Sequence, residues 1–292
     1  MYSLNGTLTP TKPTVSIADF GFSRGITVFE FLRVYHGHPF RMAAHLDRLE
    51  SGAAQLGIAI PLTRAQIIQQ VQALISTHHY AQSAIKIYLT AGECAAPSGL
   101  SFAACSGFSP QIIIMEDPVN LMHPLAAYGL DVYQRGQSLQ TVPHIRELPT
   151  IKTANYGIGF VAARQLAGAE YDDVLFTTPN GFVTEATRSN FFAVINNTLT
   201  TARHGMLNGI TRQVILELAH ELHIPTAEHD FTPAELLTAT EAFTTGSIAE
   251  MAPVRSINGT TLPGAENRMH TPIYSRLRTA FSTLIARECP AP

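Results

Sequence analysis

The chain has 292 residues, of which 46% are hydrophobic and only 14% are charged, and its formal net charge is −3. This length is sufficient for two compact domains, whereas the balanced charge without a basic block argues against nucleic acid as a partner. No apolar run of about 18 residues and no signal-peptide pattern is present, so we expect no membrane partner. Cys94, Cys105 and Cys289 form no CxxC pair, which favours a reducing compartment, the cytoplasm.

Residues 1–119 predict a small α+β domain, because strand-like apolar runs alternate with helical periodicity. A hairpin turn is expected at His36-Gly37, and Thr63 is the candidate N-cap of the second helix. The predicted elements, in chain order, are a strand at 28–35, a short strand after the turn, helices at 43–57 and 64–78, and strands at 84–92 and 111–117.

Residues 120–128 contain Pro124 and show no clear periodicity, so they are the predicted linker between domains. Residues 129–292 then form a second, larger domain. Its predicted elements, in chain order, are a strand at 129–135, a helix at 154–170 ending at Gly168, hairpins at 172–186 and 190–201, a helix at 210–224 and a strand at 241–247.

Three common kinds of active site find little support in the sequence. His78 and His79 are adjacent, and His220 and His223 lie three apart, but no HExxH or Cys/His cluster accompanies them, so we expect solvated histidines and no metal. The GxSxG pattern of serine hydrolases is absent. The glycines of NYGIGF lie inside a predicted helix, so they do not indicate a nicotinamide site.

The segment LNGITRQVILELAHEL predicts an anion site. Gly209 precedes an amphipathic helix whose first N–H groups, from Ile210 to Arg212, and the Thr211 hydroxyl would face a phosphate at the positive helix end. Taken alone, the segment favours an ordinary helix start capped by threonine over a phosphate site. A second glycine-serine turn in FTTGSIAEMAPV, with Ser247, supports the phosphate interpretation.

Only three lysines occur, and one of them is a candidate nucleophile. Lys152 ends an apolar segment, where few charges and partial burial favour the neutral amine that reacts with an aldehyde. Glu185 could bind a protonated ring nitrogen through a charge-assisted hydrogen bond. A phosphate site, a reactive lysine and an acidic partner together indicate pyridoxal 5′-phosphate.

Five segments occur in a familiar order: HLDRL, KTANYG, the segment from Glu185 to Asn190 with the following FF, NGITR and FTTGSIAEMAPV. With them the chain resembles, over nearly its whole length, the class IV aminotransferases of fold type IV. This family includes branched-chain aminotransferases, D-amino-acid aminotransferases and aminodeoxychorismate lyases. The resemblance implies a small N-terminal α+β domain, a larger C-terminal pseudo-barrel domain, the cofactor in the cleft and a homodimer in which the neighbouring subunit completes the substrate pocket.

The same resemblance implies a role for each matching residue. Lys152 corresponds to the lysine that binds the cofactor covalently and acts as the general base, Glu185 to the partner of the pyridine nitrogen, and Tyr156 to the residue beside the phenolic oxygen. The residues that correspond to phosphate binders are Arg48, Ile210, Thr211 and Ser247.

Residues that could bind the substrate carboxylate are cations on strands expected to line the cleft. Arg33 and Lys86 are the first candidates and Arg24 is the third; as alternatives, each is an ordinary charge at a sheet edge. Phe29 and Phe31 share one strand face with Arg33 and could form the apolar wall of that pocket.

Substrate preference is less clear, because the carboxylate-binding signatures of typical branched-chain and typical D-amino-acid enzymes are both missing. FSRGITVFEFLRVY resembles atypical D-amino-acid transaminases, so we favour a ping-pong transamination between a D-amino acid and a 2-oxo acid. A branched-chain substrate is the second alternative and an aminodeoxychorismate lyase the third. A cofactor-binding homologue without turnover is the non-enzymatic alternative.

Overall fold

The computed structural model describes residues 1–95, 107–119, 131–166, 170–264 and 272–292, and the predicted linker at 120–128 lies outside them. The chain forms two compact units. The first comprises Met1–Val119, Ile151–Asn155 and Glu288–Pro292, and the second comprises Asn120–Thr150 and Tyr156–Arg287. The segment that contains Lys152 therefore belongs to the first unit, although it follows residue 128 in the sequence.

The first unit is built on an antiparallel sheet with the strand order β2-β1-β6-β5-β3-β4. Its strands are β1 Tyr2–Leu4, β2 Thr7–Thr9, β3 Thr27–Tyr35, β4 His38–Pro39, β5 Gln82–Cys94 and β6 Phe108–Pro118. Its helices are α1 Phe20–Ser23, α2 Met42–Leu56 and α3 Arg64–His78. The strands and helices predicted for this part of the chain are confirmed, with β4 shorter than its apolar run suggested.

Local sequence signals set the ends of the two long helices. Gly57, with a φ of 67°, ends α2 in the left-handed conformation that glycine adopts without strain. Thr63 and Gln66 form a capping box at the start of α3. The apolar faces of the sheet and both helices form one core, which includes Val28, Leu32, Val34, Leu46, Leu49, Val71 and Leu74.

The segment Ile151–Asn155 runs along the edge of β3. Val28 and Thr153 form an antiparallel bridge, and two backbone hydrogen bonds flank it, from Phe29 N to Lys152 O (2.9 Å) and from Ala154 N to Thr27 O (3.1 Å). Because these bonds tie the backbone on both sides of Thr153, and one of them uses the carbonyl of Lys152 itself, β3 fixes the backbone position of Lys152.

The second unit contains a sheet with the strand order β12-β11-β10-β13-β14-β7-β8-β9, and β15 pairs with β14. Its strands are β7 Gln137–Pro143, β8 Asp173–Thr177, β9 Val183–Ala186, β10 Asn190–Ile195, β11 Thr198–Thr201, β12 Thr226–Glu228, β13 Glu241–Gly246, β14 Glu250–Ile257 and β15 Thr260–Thr261. Its helices are α4 Asp131–Arg135, α5 Gly157–Gln165, α6 Ile210–Glu221, α7 Pro233–Leu236 and α8 Pro272–Glu288.

One further strand pairing closes this sheet. β9 also pairs with β10 through Glu185 and Asn190, so the strands β10, β13, β14, β7, β8 and β9 form a ring. The ring encloses an apolar core that includes Leu139, Leu175, Val183, Phe191, Ala193, Ala242 and Val254. The pseudo-barrel that the resemblance implied is confirmed, and Glu185 lies at its closure.

Two sequence predictions in these units are wrong. Asp131–Arg135 is a short helix instead of a strand, because Arg135 in its last turn pairs with Asp172 (2.6 Å) and Gly136, at a φ of 72°, separates the helix from β7. His78 is not a solvated histidine, since its Nδ1 lies 2.9 Å from the buried carboxylate of Glu116. Gly168, the predicted helix end, lies outside the described residues, among which no helix is long and apolar enough to cross a membrane.

Candidate active site

Lys152 lies beside one of the aromatic residues predicted to line the substrate pocket. Its Nζ is 4.5 Å from the centroid of the Phe29 ring, within the range of a cation–π contact. Phe29 is buried and stacks on its cross-strand neighbour Tyr88 at a centroid distance of 5.6 Å. The structure therefore brings the Lys152 amine close to the Phe29 ring, beside β3.

The opposite face of β3 carries a charged cluster that reaches α2. Glu30 is fully buried, and its carboxylate accepts hydrogen bonds from Arg48 Nε (2.7 Å) and Arg48 Nη2 (2.8 Å). A third hydrogen bond of 2.6 Å joins Glu30 Oε2 to Nδ1 of the buried His45. Sequence reasoning identified Arg48 and missed Glu30 and His45, although the HLDRL spacing places His45 and Arg48 on one helix face.

Electrostatics in this cluster favour one charge state. Burial works to raise the pKa of Glu30, but the charge of Arg48 and the hydrogen bonds from Arg48 and His45 outweigh it and lower that pKa from 4.5 to about 2. Burial lowers the pKa of His45, partly opposed by Glu30, while the charges of Arg48 and Lys152 lower it further. The cluster is thus an ionised carboxylate, a guanidinium and a neutral imidazole.

The candidate carboxylate binders occupy two places in the first unit. Arg33 and Lys86 lie on the sheet face of Phe29 and Phe31, where Arg33 Nη2 donates to Gln82 Oε1 (2.5 Å) and Lys86 Nζ to Asp117 Oδ2 (3.1 Å). Arg24 is instead exposed, at the end of α1.

In the second unit, Glu185 is surrounded by hydrogen-bond donors. Its Oε1 accepts from Arg146 Nη1 at 3.2 Å, and its Oε2 accepts from Leu207 N at 3.2 Å and from Asn190 Nδ2 at 3.3 Å. Only 6% of the residue is exposed. Sequence reasoning missed Arg146, which precedes Lys152 by six residues but contacts a strand almost forty residues further along the chain.

The start of α6 lies close to Glu185. Ile210 and Thr211 are its first residues, and the N-cap Gly209 offers no side chain to the N–H groups of the first turn, which an α-helix leaves without internal partners. These N–H groups and the helix dipole favour an anion. Arg212, by contrast, is structural, because its Nη2 donates to Ala202 O (3.0 Å) and to Glu228 Oε2 (2.5 Å).

Ser247 lies in the turn between β13 and β14, near the same region. Two residues earlier, Thr245 pairs in register with Asn190. Thr245 is 1% exposed, and its Oγ1 has no hydrogen-bond partner in the described part of the chain. A buried hydroxyl in that position fits a ligand that accepts hydrogen bonds. Tyr156 is the N-cap residue of α5, where its carbonyl accepts from Phe160 N at 2.8 Å.

Each set of residues suits one part of a phosphorylated heterocyclic aldehyde. An amine such as Lys152 can react with an aldehyde, an ionised carboxylate such as Glu185 suits a protonated ring nitrogen, and the α6 terminus with the nearby hydroxyls suits a phosphate. Within the described ranges, no three His, Cys, Asp or Glu side chains are grouped to hold a metal ion.

Similar proteins carry names that agree with this chemistry. The chain is 33% identical over 285 residues to a putative branched-chain-amino-acid aminotransferase of Methanocaldococcus jannaschii, covering 96% of this chain and 95% of the relative. It is 31% identical over 280 residues to the D-alanine aminotransferase of Bacillus licheniformis, with 94% and 93% covered. The fold matches the branched-chain amino acid aminotransferase of Escherichia coli with a TM-score of 0.85, at 23% identity and with 98% and 95% covered.

The amino-transferase class IV family itself matches residues 27–257, from the start of β3 to the end of β14. That range contains Lys152, Glu185 and the start of α6. The chain therefore belongs to the class IV aminotransferases, transaminases that depend on pyridoxal 5′-phosphate.

Proposed function

We propose that this transaminase exchanges the amino group between a D-amino acid and a 2-oxo acid by a ping-pong mechanism in which Lys152 is the catalytic residue. The observation that carries the proposal is the placement of Lys152, whose backbone is bound along β3 and whose amine lies 4.5 Å from the centre of the Phe29 ring. The backbone bonds fix the point from which the Lys152 side chain extends, which favours one reacting geometry.

The cofactor contacts in this proposal follow the family pattern. Glu185 accepts a hydrogen bond from the protonated ring nitrogen, and Tyr156 lies beside the phenolic oxygen. The phosphate is bound by Arg48, by the backbone N–H groups of Ile210 and Thr211, and by the hydroxyl of Ser247. Support comes from the donors around Glu185 and from the uncapped start of α6.

The side chains of this enzyme supply binding and proton transfer. Pyridoxal 5′-phosphate, when bound, supplies an electron sink for the bond that breaks at the substrate Cα. Lys152 Nζ would take the proton from that carbon and return it two atoms further along, to C4′, the cofactor carbon on the other side of the nitrogen. Glu185 holds a proton on the ring nitrogen, because an ionised carboxylate favours the protonated ring.

Substrate selection is assigned to the face of the first sheet that carries Phe29. Phe29 forms the apolar wall, and the substrate carboxylate is bound by Arg33 or Lys86 on that face or by Arg24 at the end of α1. The similarity to a D-alanine aminotransferase over 94% of the chain supports a D-amino acid. By family resemblance we also expect a cytoplasmic homodimer whose second copy completes the substrate pocket. Light scattering of the purified protein would test the dimeric state.

A branched-chain substrate is the second candidate. The specific observation in its favour is the 33% identity to a putative branched-chain-amino-acid aminotransferase, which exceeds the 31% identity to the D-alanine enzyme. Phe29 and Phe31 on the proposed pocket face suit an apolar side chain equally well.

The experiment combines covalent trapping with half-reactions. Borohydride treatment of the purified protein should fix the cofactor on Lys152, as read from the mass of the modified peptide, and abolish its visible absorbance. Half-reactions with D-alanine, D-glutamate and L-leucine then identify the substrate, and release of pyruvate from aminodeoxychorismate would identify a lyase instead.

Two variants provide the controls. Lys152→Ala should lose transamination, whereas Lys12→Ala should keep it, because Lys12 is an exposed lysine in the N-terminal segment. Full activity in Lys152→Ala would refute the central assignment. Turnover of L-leucine without turnover of either D-amino acid would replace the D-specific proposal with the branched-chain candidate.

A further inference from the structure

The buried cluster of Glu30, His45 and Arg48 has a geometry that a merely structural ion pair does not need. Both carboxylate oxygens of Glu30 are used by the guanidinium, at 2.7 and 2.8 Å, and one of them also accepts from His45 at 2.6 Å. The Glu30 side chain is 0% exposed, and those of His45 and Arg48 are 3% and 12% exposed. The cluster joins one strand, β3, to one helix, α2.

Burying an ion pair is expensive, and well-packed apolar residues of similar volume would often serve stability at least as well. The cluster also lies within a helix-sheet core that is otherwise apolar, among residues such as Val28, Leu32 and Leu49. Stability alone therefore gives a weak reason for three polar side chains at this place. A requirement for a particular orientation of Arg48 gives a stronger one.

Glu30 constrains that orientation completely. A guanidinium is planar, and its Nε and Nη2 donors lie on one edge. Because Glu30 binds this edge in a bidentate manner, the plane of the group and the direction of its opposite edge are both fixed. An arginine held in this way loses less conformational entropy when it binds a second anion.

His45 in turn holds Glu30. A carboxylate can only accept hydrogen bonds, so Nδ1 of His45 is the donor in the 2.6 Å contact. The charged and titratable groups that act on this imidazole are Glu30, Arg48 and Lys152, and burial keeps it neutral. A neutral donor fixes the carboxylate without competing with Arg48 for its charge.

We propose that Glu30 is a positioning residue that orients the Arg48 guanidinium toward the cofactor phosphate, with His45 holding the carboxylate in place. The inference rests on the proposed function, in which Arg48 binds that phosphate. It assigns the phosphate affinity of the first unit to the Glu30-Arg48 pair, not to Arg48 alone.

The test compares two ligands that differ only in the phosphate. Cofactor-free protein is titrated with pyridoxal 5′-phosphate and with pyridoxal. The readout is the affinity for pyridoxal 5′-phosphate divided by the affinity for pyridoxal. Glu30→Gln should lower this ratio about tenfold, the cost of a charge-assisted hydrogen bond, because an amide cannot accept at both positions that face the guanidinium. Arg48→Ala should lower the ratio similarly, and the double variant should lower it no further.

A second variant and a matched control keep the test decisive if Glu30→Gln folds poorly. Glu30→Asp retains the charge but is one methylene too short for the bidentate contact, so it should also lower the ratio. Glu116→Gln removes another buried carboxylate of the same sheet, one that is bonded to His78 and Ser83. It should lower stability while leaving the ratio unchanged.

The outcomes separate the inference from the proposed function. A wild-type ratio in both Glu30 variants, together with a lowered ratio in Arg48→Ala, overturns the inference and leaves the proposed function intact. A wild-type ratio in Arg48→Ala removes Arg48 from the proposed phosphate site and overturns the inference, whereas the assignment of Lys152 is refuted only by full activity in Lys152→Ala. A lowered ratio in Glu116→Gln shows a general effect of buried charge and also overturns the inference.

Discussion

The side-chain oxygen of Asn190 occupies the space that any side chain on Gly209 would need, since a Cβ at residue 209 would lie 2.0 Å from Asn190 Oδ1. The amide nitrogen of the same asparagine donates to Leu207 O at 2.7 Å and to Glu185 Oε2 at 3.3 Å. One side chain thus connects the carboxylate of β9 with the segment that leads into α6. The proposed ring-nitrogen and phosphate contacts therefore depend on shared support.

Gly209→Ala should disturb both contacts. The backbone at Gly209, with a φ of −67° and a ψ of 140°, is accessible to alanine, so the penalty is steric. Displacement of Asn190 should cost about 1–3 kcal/mol of stability and weaken binding of pyridoxal 5′-phosphate. Denaturant unfolding and cofactor titration measure the two effects.

Gly159→Ala is the matched control for this substitution. The nearest atoms to its new Cβ, in Thr187, are 3.7 and 3.8 Å away, which is ordinary van der Waals contact. This variant should be at least as stable as the wild type, because Gly159 lies inside α5, and it should bind cofactor normally. Equal losses in the two variants would contradict the steric argument for Gly209.

Glu185→Gln should lower kcat much more than cofactor affinity. A neutral amide does not hold a proton on the ring nitrogen, so we expect kcat to fall by about 100-fold or more. Glu241→Gln is the control, because Glu241 is a buried carboxylate of the same unit that accepts from Ile273 N and Tyr274 N. Steady-state kinetics should show slower turnover only in Glu185→Gln, and near-normal kcat in that variant would exclude Glu185 as the ring-nitrogen partner.

Local patterns in the sequence predicted much of the first unit, because its helices and long strands are amphipathic or apolar and have clear ends. The partner of Arg48 was not predictable in this way. Strand alternation places Glu30 with Leu32, and helical spacing places His45 with Arg48, but which strand face meets which helix face is a tertiary property. The buried cluster became visible only in the fold.

In the second unit, some unpredicted features have a clear local sequence pattern, whereas others depend on long-range contacts. Helix α8 is not among the predicted elements, although Ile273, Leu277, Phe281 and Leu284 follow helical spacing. Strand β14 has no clear strand pattern in the sequence, because Pro253 and Arg255 interrupt its apolar run. Its pairing with β7 joins residues more than a hundred positions apart, so no local pattern predicts that pairing. The contact between Arg146 and Glu185 is long-range in the same sense, so no local pattern indicated it.

Acid should destabilise the wild type more than Glu30→Gln. The pKa of Glu30 is lowered from 4.5 to about 2 in the fold, so its ionised form stabilises the folded state above pH 4.5, and this contribution is lost as the pH falls toward 2. The full contribution is about 3 kcal/mol. Denaturant unfolding of both proteins between pH 6 and 3 should show a difference in stability that shrinks on acidification. A difference that does not change with pH would exclude Glu30 as the source.

Alanine substitutions at Arg33, Lys86 and Arg24 should separate the three candidate carboxylate binders. At Lys86 a substrate carboxylate would compete with Asp117, which already neutralises the amine, whereas the described hydrogen bond of Arg33 goes to the neutral amide of Gln82. Arg33→Ala should therefore raise KM for the amino acid about tenfold or more with little change in kcat, and Lys86→Ala and Arg24→Ala should change KM less than about threefold.

Arg33→Lys should recover only part of the lost affinity for the amino acid, because a point charge lacks the two-pronged geometry of a guanidinium. An unchanged KM in Arg33→Ala, with a large increase in Lys86→Ala or Arg24→Ala, would move the carboxylate site to that residue, since only the true binding cation affects KM without affecting the chemistry at Lys152.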